Sequence, residues 1–273
     1  VRPFARLFAC VFVFVAFIAP LGAEEIRLGG DFIQGGMVRG VAPPGAAISL
    51  DGRSLRLSPD GFFVFGFGRD AAPEAELVVI FAGGSEETRR LAIASRDYDI
   101  QHIEGLPKKM VTPPPELLDR IRAEGAKVRA ARAFDTAAVF FNAQFEWPAR
   151  GPISSVYGSQ RILNGEPRQP HFGVDIVAPE GTPVRAPAGG DIRLAEPALY
   201  YSGGTVILDH GHGLSSSFLH MSRVDVVVGQ QVAQGDVIGA IGATGRVTGA
   251  HLDWRINWFE QRLDAALLVA PRE

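Results

Sequence analysis

The run Pro170-His171-Phe172-Gly173-Val174-Asp175-Ile176-Val177 sets the reading of this chain. It holds a histidine and a carboxylate four residues apart, with a glycine between them. On a helix that spacing would put both on one face. Pro170 before the pair, Gly173 inside it and Ile176, Val177 and Pro179 after it argue against a helix. On a flat strand, positions four apart are separated by roughly 13 Å, too far to share an ion. They share one only if the chain bends, and Gly173 permits a bend. The run therefore predicts a turn feeding a strand, with an imidazole and a carboxylate aimed at one point. A hydrogen-bonded His–Asp pair that merely pins the turn fits equally well at this stage.

Downstream the signals are all β. Residues 205–210 and 215–220 flank Gly211 and Gly213 and predict a hairpin ending in His220. Gly229, Gly235, Gly239, Gly242, Gly245 and Gly249 then punctuate short apolar runs, which implies strands joined by tight turns. The spacing Gly239, Gly242, Gly245 is not a dinucleotide fingerprint, because no helix signal follows. His251-Leu252-Asp253 lies in the strand-like run 250–258, where residues two apart point the same way, roughly 7 Å apart. Five of the six histidines fall between His171 and His251, and that clustering favours a site.

Upstream, Asp51-Gly52 between apolar runs predicts a hairpin. Residues 62–67 read as a buried Phe-rich strand and 77–81 as another. Together they suggest a small β-sandwich with no cluster of metal-binding or catalytic side chains; His102 stands alone. Pro107, Pro113, Pro114 and Pro115 mark a linker, and residues 116–134 carry helical periodicity, read as a brace between domains. At the N-terminus, Arg2 and Arg6 precede an apolar run at 7–19 and the small residues up to Ala23, which predicts a cleaved secretory signal. Cys10, the sole cysteine, sits inside it without a lipobox, so no disulfide or thiolate metal site is expected. Losing Arg2 and Arg6 takes the formal charge from −3 to −5. No basic run or helix face appears, which argues against nucleic acid as a partner.

A catalytic zinc site uses three protein ligands and leaves a position open for water. His171, Asp175 and one residue of the 251–253 pair would supply three ligands, with His220 and the remaining histidine free to act on water or a developing oxyanion. Histidine and carboxylate ligands suit Zn²⁺, with Mn²⁺ and Fe²⁺ as options. His210 reads as supporting or structural and His212 as a turn residue. Trp254 and Trp258 read as core or groove wall. A serine hydrolase built on Ser215 to Ser217 lacks the nucleophile elbow.

Taken together, His171-x-x-x-Asp175, the strand ending at His220, and Thr244-Gly245 followed by Gly249-Ala250-His251-Leu252-Asp253 resemble the lysostaphin-like (LytM-type) zinc endopeptidases over residues 145–258. The resemblance implies a compact antiparallel β-sheet peptidase domain with a groove at 145–273, which with the readings above makes the chain mainly β: signal 1–23, an N-terminal β domain at 24–100, a Pro-rich linker and helix at 101–144, and then that domain. It implies one Zn²⁺ held by His171, Asp175 and Asp253, with His220 and His251 as catalytic histidines. The signal without a lipobox predicts a periplasmic or secreted protein with no stable membrane span once the signal is gone, and the resemblance implies that it cuts peptide bonds in peptidoglycan stem or cross-link peptides. The family pattern ends His-x-His, whereas this chain has His251-Leu252-Asp253. Two carboxylates and one histidine would cancel the charge of Zn²⁺ and weaken it as a Lewis acid. The departure opens an alternative: an inactive domain that binds peptidoglycan or activates a partner cell-wall hydrolase.

Overall fold

The structure is a computed structural model describing residues 25–103, 115–163, 165–167 and 169–272. The expected signal segment and most of the Pro-rich linker lie outside the described residues. The fold is mainly β, as expected, with one α-helix among the described residues.

The N-terminal strands form two small antiparallel sheets. One is ordered Arg27–Gly30, Met37–Val41, Phe62–Gly66. The other is ordered Arg53–Leu55, Ala47–Leu50, Glu74–Ile80, Glu86–Ala92. Leu50 pairs with Arg53, so Asp51-Gly52 is a two-residue turn, with φ of 47° and 79°. Both values lie in the left-handed region that such a hairpin demands. Strand Glu74–Ile80 alternates, with Ala75, Leu77 and Val79 facing inward and Glu74, Glu76 and Ile80 outward. Phe63 and Phe65 are fully buried beside Leu77 and Val79. These phenylalanines are core, and transfer of such side chains from water is the main stabilising term.

The C-terminal half is built on one large antiparallel sheet. Its strands include β1 (Val174–Val177), β2 (Gly190–Leu199), β3 (Gly203–Gly211), β4 (Leu214–Val224), β5 (Val237–Ile241) and β6 (His251–Trp258). The sheet runs Gln231–Val232, β2, β3, β4, β6, β1, Ile153–Ser155, and β5 pairs with the end of β4. His212 and Gly213, with φ of 50° and 80°, make the tight turn between β3 and β4, the role expected of His212. All of β3 and the first eight residues of β4 are buried. The apolar core continues from Phe63 and Phe65 into Trp254 and Leu263. Arg39 ties the two halves by donating to the carbonyls of Phe141 and Ala143 at 2.8 and 3.0 Å.

Helix α1 spans Leu118–Arg132, preceded by a 3₁₀ turn at Pro115–Leu117. The sequence makes it a brace between domains. In the structure its buried contacts are with the sheet: Ala131 and Val128 pack on Leu194, Leu199 and Ile207 of β2 and β3. Ala131 is the one fully buried residue of the helix. Its C-terminal residue, Arg132, thereby reaches β4, donating to Ser217 Oγ at 3.0 Å. No helix among the described residues is long and apolar enough to cross a membrane.

Candidate metal and active site

Strand register assembles the site. Asp253 of β6 lies opposite Asp175 of β1 on one side and opposite Leu219 of β4 on the other. His220 therefore falls one residue beyond that crossing point. It has φ of 66°, a left-handed conformation uncommon outside glycine and held only where the surroundings over-determine it. Its N–H bonds the Ser202 carbonyl at 2.8 Å. The His220 and His251 rings lie 4.9 Å apart, centroid to centroid. His171 sits just before β1, pinned by its own backbone N–H to Ser159 O and by Gly158 N–H to its carbonyl, each 2.8 Å.

His171 Nε2 lies 3.2 Å from Asp175 Oδ1, and His251 Nε2 lies 3.8 Å from the same oxygen. His171 Nε2 and Asp175 Oδ1 are nonetheless buried without a hydrogen-bond partner. Orphaned buried polar atoms are costly and call for an explanation. Asp253 completes the group: His171, Asp175 and Asp253 each offer a ligand atom within 4.8 Å of the others. A divalent ion fits this donor set, because it would satisfy both orphaned atoms at once. Gly173 matters here for space. A Cβ at this position would lie 2.1 Å from Asp253 Oδ1 and 2.8 Å from Arg255 Cγ. The sequence reading credits it with a bend; the structure shows that the missing side chain is what admits Asp253 beside β1.

Two carbonyls fix the tautomers of the paired histidines. His220 Nδ1 lies 2.9 Å from Thr244 O, and His251 Nδ1 lies 2.9 Å from Gly249 O. A carbonyl only accepts, so each Nδ1 carries the proton and each Nε2 is left as the basic nitrogen. Burial lowers the pKa of His220, against the Thr244 bond that raises it, which favours the neutral ring at neutral pH.

Asp253 has a partner that the sequence reading missed. Arg255 donates from Nε to Oδ1 and Oδ2 at 2.9 and 3.0 Å, and from Nη2 to Oδ2 at 2.5 Å. Burial acts to raise the Asp253 pKa, but the Arg255 charge and its hydrogen bonds, with smaller help from His171 and His220, hold it below the usual carboxylate value. Asp253 is therefore a carboxylate, not a neutral acid. The signal was available: His251, Asp253 and Arg255 alternate along one strand, and the period of two puts all three on one face. Arg132 had no local signal, since it arrives from α1.

The remaining candidates are structural. His210 is fully buried between Gly189 O and Ser216 Oγ, each 2.7 Å from a ring nitrogen, and burial pushes its pKa to about 4. Trp254 is buried against Trp147, and Trp258 is also core. Ser216 and Ser217 are occupied by His210 and Arg132.

This chain belongs to peptidase family M23. The family model matches residues 169–265, which hold all five residues above. A solved Pseudomonas aeruginosa protein assigned to peptidase M23 is 31% identical, with 87% of this chain and 94% of that chain covered and a TM-score of 0.68. Among curated relatives, the cell division protein DipM of Caulobacter vibrioides is 32% identical over 164 residues, 59% of this chain and 25% of its own length. The peptidoglycan DD-endopeptidase ShyA of Vibrio cholerae is 39% identical over 105 residues, 38% of this chain and 24% of its own length. The chain thus spans about a quarter of the length of these curated relatives.

Proposed function

We propose that this chain is an exported zinc endopeptidase that hydrolyses peptide bonds in the stem or cross-link peptides of peptidoglycan. The observation that carries the proposal is the pair of orphaned atoms, His171 Nε2 and Asp175 Oδ1, facing one point beside Asp253. His171, Asp175 and Asp253 would hold one Zn²⁺. The ion supplies a Lewis acid and a water acidic enough to attack at neutral pH. His220 and His251 each leave Nε2 as the basic nitrogen, so one ring would take the proton of the attacking water and then, as imidazolium, hydrogen-bond the developing oxyanion or hand that proton to the leaving amine. The Thr244 and Gly249 carbonyls keep both rings in the tautomer this requires. Family membership and a DD-endopeptidase relative support the substrate class.

Arg255 bears on the charge objection. Asp175 and Asp253 together would cancel a divalent ion, but Arg255 offsets Asp253, so the group as a whole keeps one net positive charge with the metal bound. The same contact favours a second reading. Asp253 already has a full counter-charge without metal, as expected of a domain that has given up catalysis and binds peptidoglycan or activates another hydrolase.

Elemental analysis of the purified protein, followed by digestion of cross-linked peptidoglycan fragments, separates the two. About one zinc per chain, with cleavage lost in His220→Ala and His251→Ala but metal retained, supports the enzyme. Absence of metal after zinc titration, with peptidoglycan still bound, supports the second reading.

A further inference from the structure

Beside the metal group lies a cavity of about 490 Å³ whose wall includes His220. Arg132 of α1, Arg246 of the loop before β6 and Arg255 of β6 also line it, and among the described residues no acidic side chain does. Arg255 spends Nε and Nη2 on Asp253. Arg132 spends Nε and Nη2 on Ser217 Oγ, a neutral partner. Arg246 lays its guanidinium 4.5 Å from the Tyr201 ring centroid. Among the described residues, neither Arg132 nor Arg246 has a carboxylate within ion-pair distance. Burial first, then the charges of Arg262 and Arg255, push the Arg132 guanidinium well below its usual value. Burial and then Arg255 bring Arg262 to about 10. Arginine stays charged in proteins, so the cluster carries a positive charge larger than Asp253 can offset.

We propose that Arg132 and Arg246 form a carboxylate subsite adjoining His220, which selects peptides bearing a free carboxylate close to the scissile bond. The reading rests on the proposed endopeptidase function and names its substrate class. Guanidinium is suited to this task because its planar fork matches a carboxylate with two parallel hydrogen bonds. His220 is part of the cavity wall, so a carboxylate held there would lie next to it and fix the register of the peptide. Arg255 would keep its bonds to Asp253 and contribute only charge. Arg246 is the exposed member and Arg132 the half-buried one, so substrate meets Arg246 first.

The test uses a soluble cross-linked stem-peptide dimer in three forms: free carboxylates, amidated at the terminal carboxyl only, and amidated at every carboxyl. Binding is measured by titration calorimetry with full-length, zinc-loaded His251→Ala, which the proposed mechanism predicts to be unable to cleave. Cleavage of the same dimers by the unmutated chain is followed in parallel. The free form should bind at least tenfold more tightly than the fully amidated one, and Arg246→Gln should cut that ratio to threefold or less. Arg132→Lys, which keeps the charge, should preserve more of the ratio than Arg132→Gln. The terminally amidated dimer distinguishes a C-terminal from a side-chain carboxylate. Equal binding of the free and fully amidated dimers overturns the subsite, whatever the cleavage result. A carboxylate preference that Arg246→Gln leaves intact also overturns it. Preference without cleavage by the unmutated chain leaves the subsite standing and removes the endopeptidase reading instead.

Discussion

Replacing Arg255 with Met tests the central contact of the site. The side chain of Asp253 is 3% exposed and that of Arg255 is 24% exposed. The substitution strands a carboxylate that water cannot reach. Breaking a buried ion pair this way costs about 3–5 kcal/mol. Arg255 is partly open to solvent, so we expect the lower end, about 3 kcal/mol. For a chain of this size that corresponds to a fall in Tm on the order of 6–12 °C. The informative measurement is the response to zinc. In the unmutated chain Asp253 already has a counter-charge, and an ion has to share it. In Arg255→Met the ion becomes the counter-charge in direct contact, with Arg132 and Arg262 acting only from a distance. Zinc should therefore raise the Tm of the variant more than that of the unmutated chain, and calorimetric titration should give an apparent Kd at least tenfold tighter, about 1.4 kcal/mol. The assay is scanning calorimetry of both proteins with chelator and with excess zinc. An unchanged Tm in chelator would refute the claim that the pair stabilises the fold. An equal zinc-induced rise in both would remove Asp253 from the ligand set.

Three further outcomes follow from the same geometry. Asp253→His, which puts histidine where the lysostaphin-like sequence pattern has one, leaves Arg255 without its counter-charge; we expect a loss of about 3 kcal/mol in urea denaturation, regained in Asp253→His/Arg255→Gln, and an undiminished single variant would contradict the pairing. Gly173→Ala places a methyl 2.1 Å from Asp253 Oδ1; we expect a stability loss of about 1–3 kcal/mol together with loss of zinc binding, and retained zinc affinity would show that Asp253 can move aside without consequence. Part of the acid sensitivity should come from His210, whose pKa burial pushes from 6.5 to about 4, beside a separate share from His212, which burial also lowers to about 4. Below pH 6.5 the unfolded chain takes up a proton that the folded chain refuses until about pH 4. The His210 contribution, about 2–3 kcal/mol, is then fully present above pH 6.5 and is lost across that window. Urea midpoints at pH 7 and 4.5 for the unmutated chain and His210→Gln read this directly, and an identical pH slope in both would assign the sensitivity elsewhere.

Much of the fold was legible because β structure announces itself locally. Asp51-Gly52 predicted its hairpin, since only a two-residue turn with both φ values positive fits between the flanking runs. The short Gly-punctuated runs after His210 likewise became β4, β5 and β6. Long-range pairing was not legible. The polar stretch 161–170 carries no strand signal in the sequence, yet Gln160–Leu163 pairs with Glu166–Pro167 and lies parallel to Ile100–Ile103. A parallel pairing depends on where distant segments dock, and no local signal encodes it. The helix was found by its periodicity, but its partner was not, because two small apolar side chains cannot say which surface they cover.

The site shows the same division at finer scale, and it bears on what the third ligand position has become. Spacing alone placed His251 and Asp253 on one face of a strand, and the same alternation carries on to Arg255 without interruption. Read as a single substitution, a carboxylate in place of histidine lowers the charge at the metal group and suggests decay. Read with Arg255, the carboxylate comes with its own counter-charge, so under the proposed ligand set the group keeps one net positive charge with a divalent ion bound. Gly173 belongs to the same unit, because only a residue without a side chain leaves room for Asp253 Oδ1 and Arg255 Cγ. Drift would be expected to break such a set one member at a time. Here Gly173, Asp253 and Arg255 fit together sterically and electrostatically, and His171, Asp175, His220 and His251 all remain in place around them. That coherence is why we rank the metal-dependent peptidase above the inactive domain, and why the zinc response of Arg255→Met is the measurement that weighs most between them.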